Sequence, residues 1–65
     1  MIIVVNEEQM QVGEATTVAA LLESLGYPAR GIAVALDNTV LPRSDWATTL
    51  SDGARLEVVT AVQGG

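Results

Sequence analysis

The sequence has no cysteine and no histidine, and its three basic residues, Arg30, Arg43 and Arg55, leave it without lysine as well. Lack of cysteine excludes a disulfide framework and a thiol nucleophile, and the joint lack of cysteine and histidine removes the usual zinc ligands and the commonest general base. No metal site and no catalytic residue is therefore predicted. A chain of 65 residues makes one domain and buries only about 60% of the surface its unfolded form exposes, so its apolar core has to hold it without a covalent or metallic staple. The 49% hydrophobic content is enough for a folded chain. A substrate pocket would consume much of so small a core. The chain reads as a substrate or partner of enzymes rather than an enzyme.

Basic charge is also scarce. Eight acidic residues against three arginines give a net charge of −5, which repels a phosphate backbone, so nucleic-acid binding is not expected. The acidic residues are scattered, which fits a solvated surface and steering toward a basic partner. The longest early apolar run, Ile2-Ile3-Val4-Val5, has no basic leader and is far too short for a membrane span. A cytoplasmic protein with no membrane partner is expected.

The pattern that remains is regular. Met1–Val5 is β-branched and runs into the polar Asn6-Glu7-Glu8, and Gln9–Val12 reads as the returning strand of a hairpin. After Gly13-Glu14-Ala15 the period changes: Val18, Leu21, Leu22 and Leu25 fall at i, i+3, i+4 and i+7, with Thr17 as N-cap, Gly26 as stop and Pro28 beyond it. Ile32, Val34 and Leu36 alternate as a third strand. Asp37-Asn38 turns into a brief Thr39-Val40-Leu41, which Pro42 ends. Ser44 is placed to cap a short turn carrying Asp45, Trp46 and Ala47. Ser51-Asp52-Gly53 makes a further turn, and Arg55–Val62 is the fifth strand.

One helix among five strands covers only one face of the sheet. With right-handed crossovers this favours a mixed five-stranded sheet whose last strand lies beside the first, an α+β fold of the ubiquitin-like β-grasp type. The predicted domain is 1–65, with 63–65 as a flexible tail. Trp46, the sole tryptophan, reads as a hydrophobic plug, and Arg43 as either a partner contact or one half of a surface ion pair.

The tail Gln63-Gly64-Gly65 carries the chemistry. Glycine has no Cβ, so Gly64 and Gly65 fit a channel that would exclude any side chain, and three extended residues reach roughly 10 Å. A terminal carboxylate, with a pKa ordinarily near about 3.5, is an anion and a poor electrophile at neutral pH. Adenylation by ATP would convert it to a mixed anhydride, and a sulfur nucleophile could then displace AMP. ATP would be used by the activating partner, and no cofactor is expected on the chain itself.

Taken together, the strand followed by Asn6-Glu7, the helix opening Thr17-Val18, the segment Leu41-Pro42-Arg43-Ser44-Asp45-Trp46, the turn Asp52-Gly53 and the ending Val62-Gln63-Gly64-Gly65 resemble the ThiS family over nearly the whole chain. Pro-Arg-x-x-Trp combined with Gly-Gly is the most specific part. That family comprises the sulfur carriers of thiamine thiazole biosynthesis. Leu41 departs from its common Val or Ile, and Ala54 from the acidic residue that often follows the turn glycine; neither touches the tail. The resemblance implies that Gly65 is adenylated by a ThiF-like enzyme, receives sulfur through a sulfur-donor enzyme to become a thiocarboxylate, and serves thiazole synthase as sulfur source. The alternatives are a molybdopterin synthase small subunit, a protein modifier joined through Gly65, and an interaction domain with an inert tail. The Pro-Arg-x-x-Trp segment favours thiamine over molybdopterin.

The first strand is apolar on both faces, because successive side chains alternate. If Ile3 and Val5 join Leu21, Leu22, Leu25, Leu56 and Val58 in the core, Ile2 and Val4 point outward with Val59 as their expected neighbour. Ile2, Val4, Val59 and Arg43 are the candidate partner contacts.

Overall fold

A computed structural model describes residues 1–60. Strands β1 (Ile2–Val5) and β2 (Glu8–Gln11) form a hairpin, followed by helix α1 (Val18–Ser24), β3 (Ile32–Leu36), β4 (Thr39–Val40), a 3₁₀ turn (Arg43–Asp45) and β5 (Arg55–Thr60). The sheet order is β2-β1-β5-β3-β4, with β5 parallel to β1 and every other pairing antiparallel. This is the β-grasp expected from the sequence, the closing strand lying beside the first.

Both hairpins turn on two residues. Asn6 and Glu7 have φ of 48° and 73°, and Asp37 and Asn38 have 49° and 71°; this pair of positive values lets a two-residue turn follow the right-handed twist of its strands. The tight first turn brings Glu8 into the ladder opposite Val5, so β2 begins one residue earlier than the alternation suggests.

Helix α1 starts as read: the Thr17 hydroxyl oxygen accepts from the Ala20 N–H at 3.1 Å. It ends in a Schellman closure, Gly26 at φ 85° donating to Glu23 O and Tyr27 N–H to Leu22 O, each at 3.0 Å. The remaining first-turn donors find partners far along the chain. Val18 N–H donates to Thr48 O at 3.0 Å and Ala19 N–H to Trp46 O at 2.9 Å, so the 46–48 segment satisfies groups that a helix cannot satisfy itself.

Ile3, Val5, Val18, Leu21, Leu22, Val34, Leu50, Ala54, Leu56 and Val58 form the buried core. Leu25 does not join it. The helix closes at Ser24, and Leu25, past its last turn, is 40% exposed over a shallow cleft that it lines with Val5, Met10 and Tyr27. A second correction concerns Ser44. The 3₁₀ turn opens at Arg43 behind extended Pro42, without any side-chain cap, and Asp45 N–H bonds Pro42 O at 2.8 Å. Proline's fixed φ sets the entry one residue before the serine.

Candidate functional site

The five residues 61–65, and with them the predicted tail Gln63, Gly64 and Gly65, lie outside the described residues. The strand that precedes them in sequence is held firmly. Antiparallel to β3, it pairs Val58 with Val34, Val59 with Ala33 and Thr60 with Ile32. On its other side, β1 pairs with it only at Val4↔Arg55 and Val5↔Leu56, and beyond Val5 the Asn6 side chain takes over. Asn6 Oδ1 accepts from Val58 N–H at 2.8 Å and Asn6 Nδ2 donates to Val58 O at 3.2 Å.

Ile3 and Val5 are buried while Ile2 is 48% exposed and Val4 half-buried, so the predicted division of β1 between two faces holds. The predicted neighbour does not. Register places Arg55, not Val59, beside Val4 on the outward face, and a parallel strand rises about 3.3 Å per residue, which carries Val59 four residues further along. Arg55 donates to Glu7 Oε2 at 2.8 Å, and that hydrogen bond, with Glu7's charge, holds its guanidinium above the ordinary arginine value. The outward face therefore carries two apolar areas separated by charge. One comprises Ile2 and Val4 flanked by Gln11 and Gln9; the other comprises Val59 (64% exposed) beside Ala33, and Val40 (74% exposed) beside Ala35.

Arg43 is exposed at the start of the 3₁₀ turn and makes no ion pair among the described residues. It borders two shallow clefts together with Trp46. Trp46 is half-buried against the core and donates its indole N–H to Leu41 O at 3.1 Å, which makes it both plug and cleft wall. Arg30, across the first of these clefts, was not singled out from the sequence, although its rarity as one of three cations was a usable signal. No helix among the described residues is long and apolar enough to cross a membrane.

Residues 2–65 match the model of the ThiS family. The chain belongs to the ThiS family. The sulfur carrier protein ThiS of Escherichia coli is 33% identical over 66 residues, covering the whole of both chains. A thiazole synthase of Paramagnetospirillum magneticum is 36% identical over 66 residues, and there the present chain spans 20% of the relative's length. Among solved structures, the crystal structure of the thiamine biosynthesis protein ThiS of Geobacter metallireducens superposes with a TM-score of 0.82 at 33% identity over the full length of both. ThiS family membership thus agrees with the fold, and the family match extends through Gly64 and Gly65.

Proposed function

We propose that this protein is the sulfur carrier of thiamine thiazole formation and that the carboxylate of Gly65 is the group that bears the sulfur. The observation that carries this reading is the family match across residues 2–65, supported by full-length similarity to a ThiS sulfur carrier. An oxygen of the Gly65 carboxylate attacks the α-phosphorus of ATP on a ThiF-like enzyme, and pyrophosphate leaves. A sulfur nucleophile from a donor enzyme then attacks the acyl carbon, and AMP departs with the former carboxylate oxygen. The nucleophile is the terminal sulfur of a donor persulfide, so an acyl disulfide forms. A thiol then attacks its donor-side sulfur, which leaves the donor in a disulfide and frees the carrier as a thiocarboxylate for thiazole synthase to consume. The partnership with thiazole synthase is supported by the relative in which a homologous segment forms part of a chain bearing that name. The chain contributes no group to any of these steps except the tail and the surface that docks it.

The test is the intact mass of the protein after incubation with its activating enzyme, ATP and a sulfur donor. A gain equal to the difference between sulfur and oxygen, lost again on mixing with thiazole synthase and its other substrates, is the expected result. A mass that never changes under activating conditions would refute the carrier reading.

A further inference from the structure

Two of the three arginines of this acidic chain border the same groove. It has a volume of about 430 Å³ and lies between the loop entering β3, strands β3 and β4, and the 3₁₀ turn. Buried Val34 and half-buried Ile32, Leu41 and Trp46 supply its apolar lining, and exposed Arg30 and Arg43 its charge. None of the eight acidic residues lines it. The third arginine, Arg55, is occupied by Glu7, whereas neither Arg30 nor Arg43 has an ion-pair partner among the described residues.

We infer that this groove docks an acidic segment of a protein partner, which lays an aliphatic side chain against Leu41 and Trp46 and pairs its carboxylates with Arg30 and Arg43. Charge complementarity identifies the occupant. In a protein of net charge −5 whose third arginine is paired with Glu7, a positive, acid-free apolar groove is the place that favours an acidic partner. The planar guanidinium offers paired N–H donors that match a carboxylate, and aromatic and arginine side chains together form the usual energetic centre of an interface. A free phosphate would engage the two arginines but leave Ile32, Leu41 and Trp46 uncovered; a peptide segment covers both. The apolar area also continues past the groove, since Ala33 and Val40 line it and lie on the outward face near Val59. The inference rests on the carrier reading in one respect: the partner is taken to be one of the two enzymes that handle the tail.

Trp46 is the sole tryptophan, so its indole N–H gives one resolved signal in the ¹⁵N-labelled protein. The experiment titrates that protein with the unlabelled ThiF-like enzyme and, separately, with thiazole synthase from the same genome. With at least one of them the Trp46 indole should shift or broaden together with the amides of Gly31 and Val40. The Arg30→Glu, Arg43→Glu double variant, its fold checked by circular dichroism, should bind that enzyme at least about tenfold more weakly, which corresponds to about 1.4 kcal/mol. Its binding should also depend less on salt, and the Arg30→Lys, Arg43→Lys double variant should retain most of the affinity. Equal binding of wild type and the charge-reversed protein by both enzymes would overturn the proposal, as would binding of wild type by neither. A saturable Trp46 shift with inorganic phosphate that competes with the enzymes would overturn it in favour of a small-anion site. The carrier reading fails separately, through the absence of the mass gain in wild type.

Discussion

The Asn6 side-chain amide pairs with both backbone groups of Val58, accepting its N–H at 2.8 Å and donating to its carbonyl at 3.2 Å. The Asn6 backbone N–H still donates to Leu56 O at 2.9 Å, but at φ 48° the chain then turns into the hairpin, so the side-chain amide stands in for the next rung of the β1–β5 ladder. Only a side chain with one acceptor and one donor can fill that place, and asparagine also tolerates the left-handed conformation. On its β1 side, the strand that leads to the tail is thereby held beyond the point where β1–β5 pairing stops.

Replacement of Asn6 by alanine removes the two hydrogen bonds to Val58, each worth about 1 kcal/mol net, and a longer, exposed one from Nδ2 to the Tyr27 hydroxyl at 3.4 Å. It also puts alanine in a left-handed position. We expect Asn6→Ala to cost about 2–3 kcal/mol. Asn6→Asp, which keeps the acceptor and loses the donor, should lie between it and wild type. Urea unfolding monitored by circular dichroism measures both, and an alanine variant as stable as wild type would show that the pairing contributes nothing.

Leu21 and Leu25 share the apolar stripe in sequence yet differ in the fold, at 2% and 40% exposed. Leu21→Ala should cost about 2–5 kcal/mol, enough to unfold much of so small a domain, while Leu25→Ala should cost under about 1 kcal/mol. Comparable losses from the two would contradict the placement of Leu25 outside the core.

Ala15 has φ 69° without a glycine's freedom or an asparagine's local hydrogen bonding. The left-handed conformation costs an L-residue about 1–2 kcal/mol, partly offset by glycine's larger unfolded-state entropy. Ala15→Gly should therefore raise stability by about 0.5–1 kcal/mol, equivalent to several degrees in the thermal midpoint of a domain this size. A lowered midpoint would count against the assigned backbone.

On the outward face, Val59 neighbours Ala33 whereas Val4 neighbours Arg55. Val59→Glu and Val4→Glu should each leave the fold intact. Val59→Glu should weaken binding to the activating enzyme or thiazole synthase by about tenfold or more, with a smaller effect from Val4→Glu, whose new carboxylate lies next to a cation. Calorimetric titration of both variants is the check, and unaltered affinity for Val59→Glu would remove that area from the interface.

A Gly64→Leu variant, or one residue added after Gly65, should keep the circular dichroism spectrum of wild type and lose adenylation, followed by ATP-dependent pyrophosphate release. Normal adenylation of Gly64→Leu would refute the narrow channel that the paired glycines imply.

The sequence by itself determined the element order, the single helix and its caps at Thr17 and Gly26, and the division of β1 into buried Ile3 and Val5 and outward Ile2 and Val4. These follow from periodicity and from local backbone chemistry, which short stretches of chain carry within themselves. The family resemblance was legible too, because its motif residues can be read without coordinates. Tertiary structure alone decided what depends on register and on partners distant in sequence. It set Arg55 rather than Val59 beside Val4, closed the helix before Leu25 could reach the core, and brought the 46–48 carbonyls to the N–H groups that open α1. It also gathered Arg30 and Arg43, separated by helix-free loop and two strands, onto one groove. Periodicity assigns a residue to a face but not to a position along its neighbour, and the satisfaction of helix-end donors is settled only when another segment arrives.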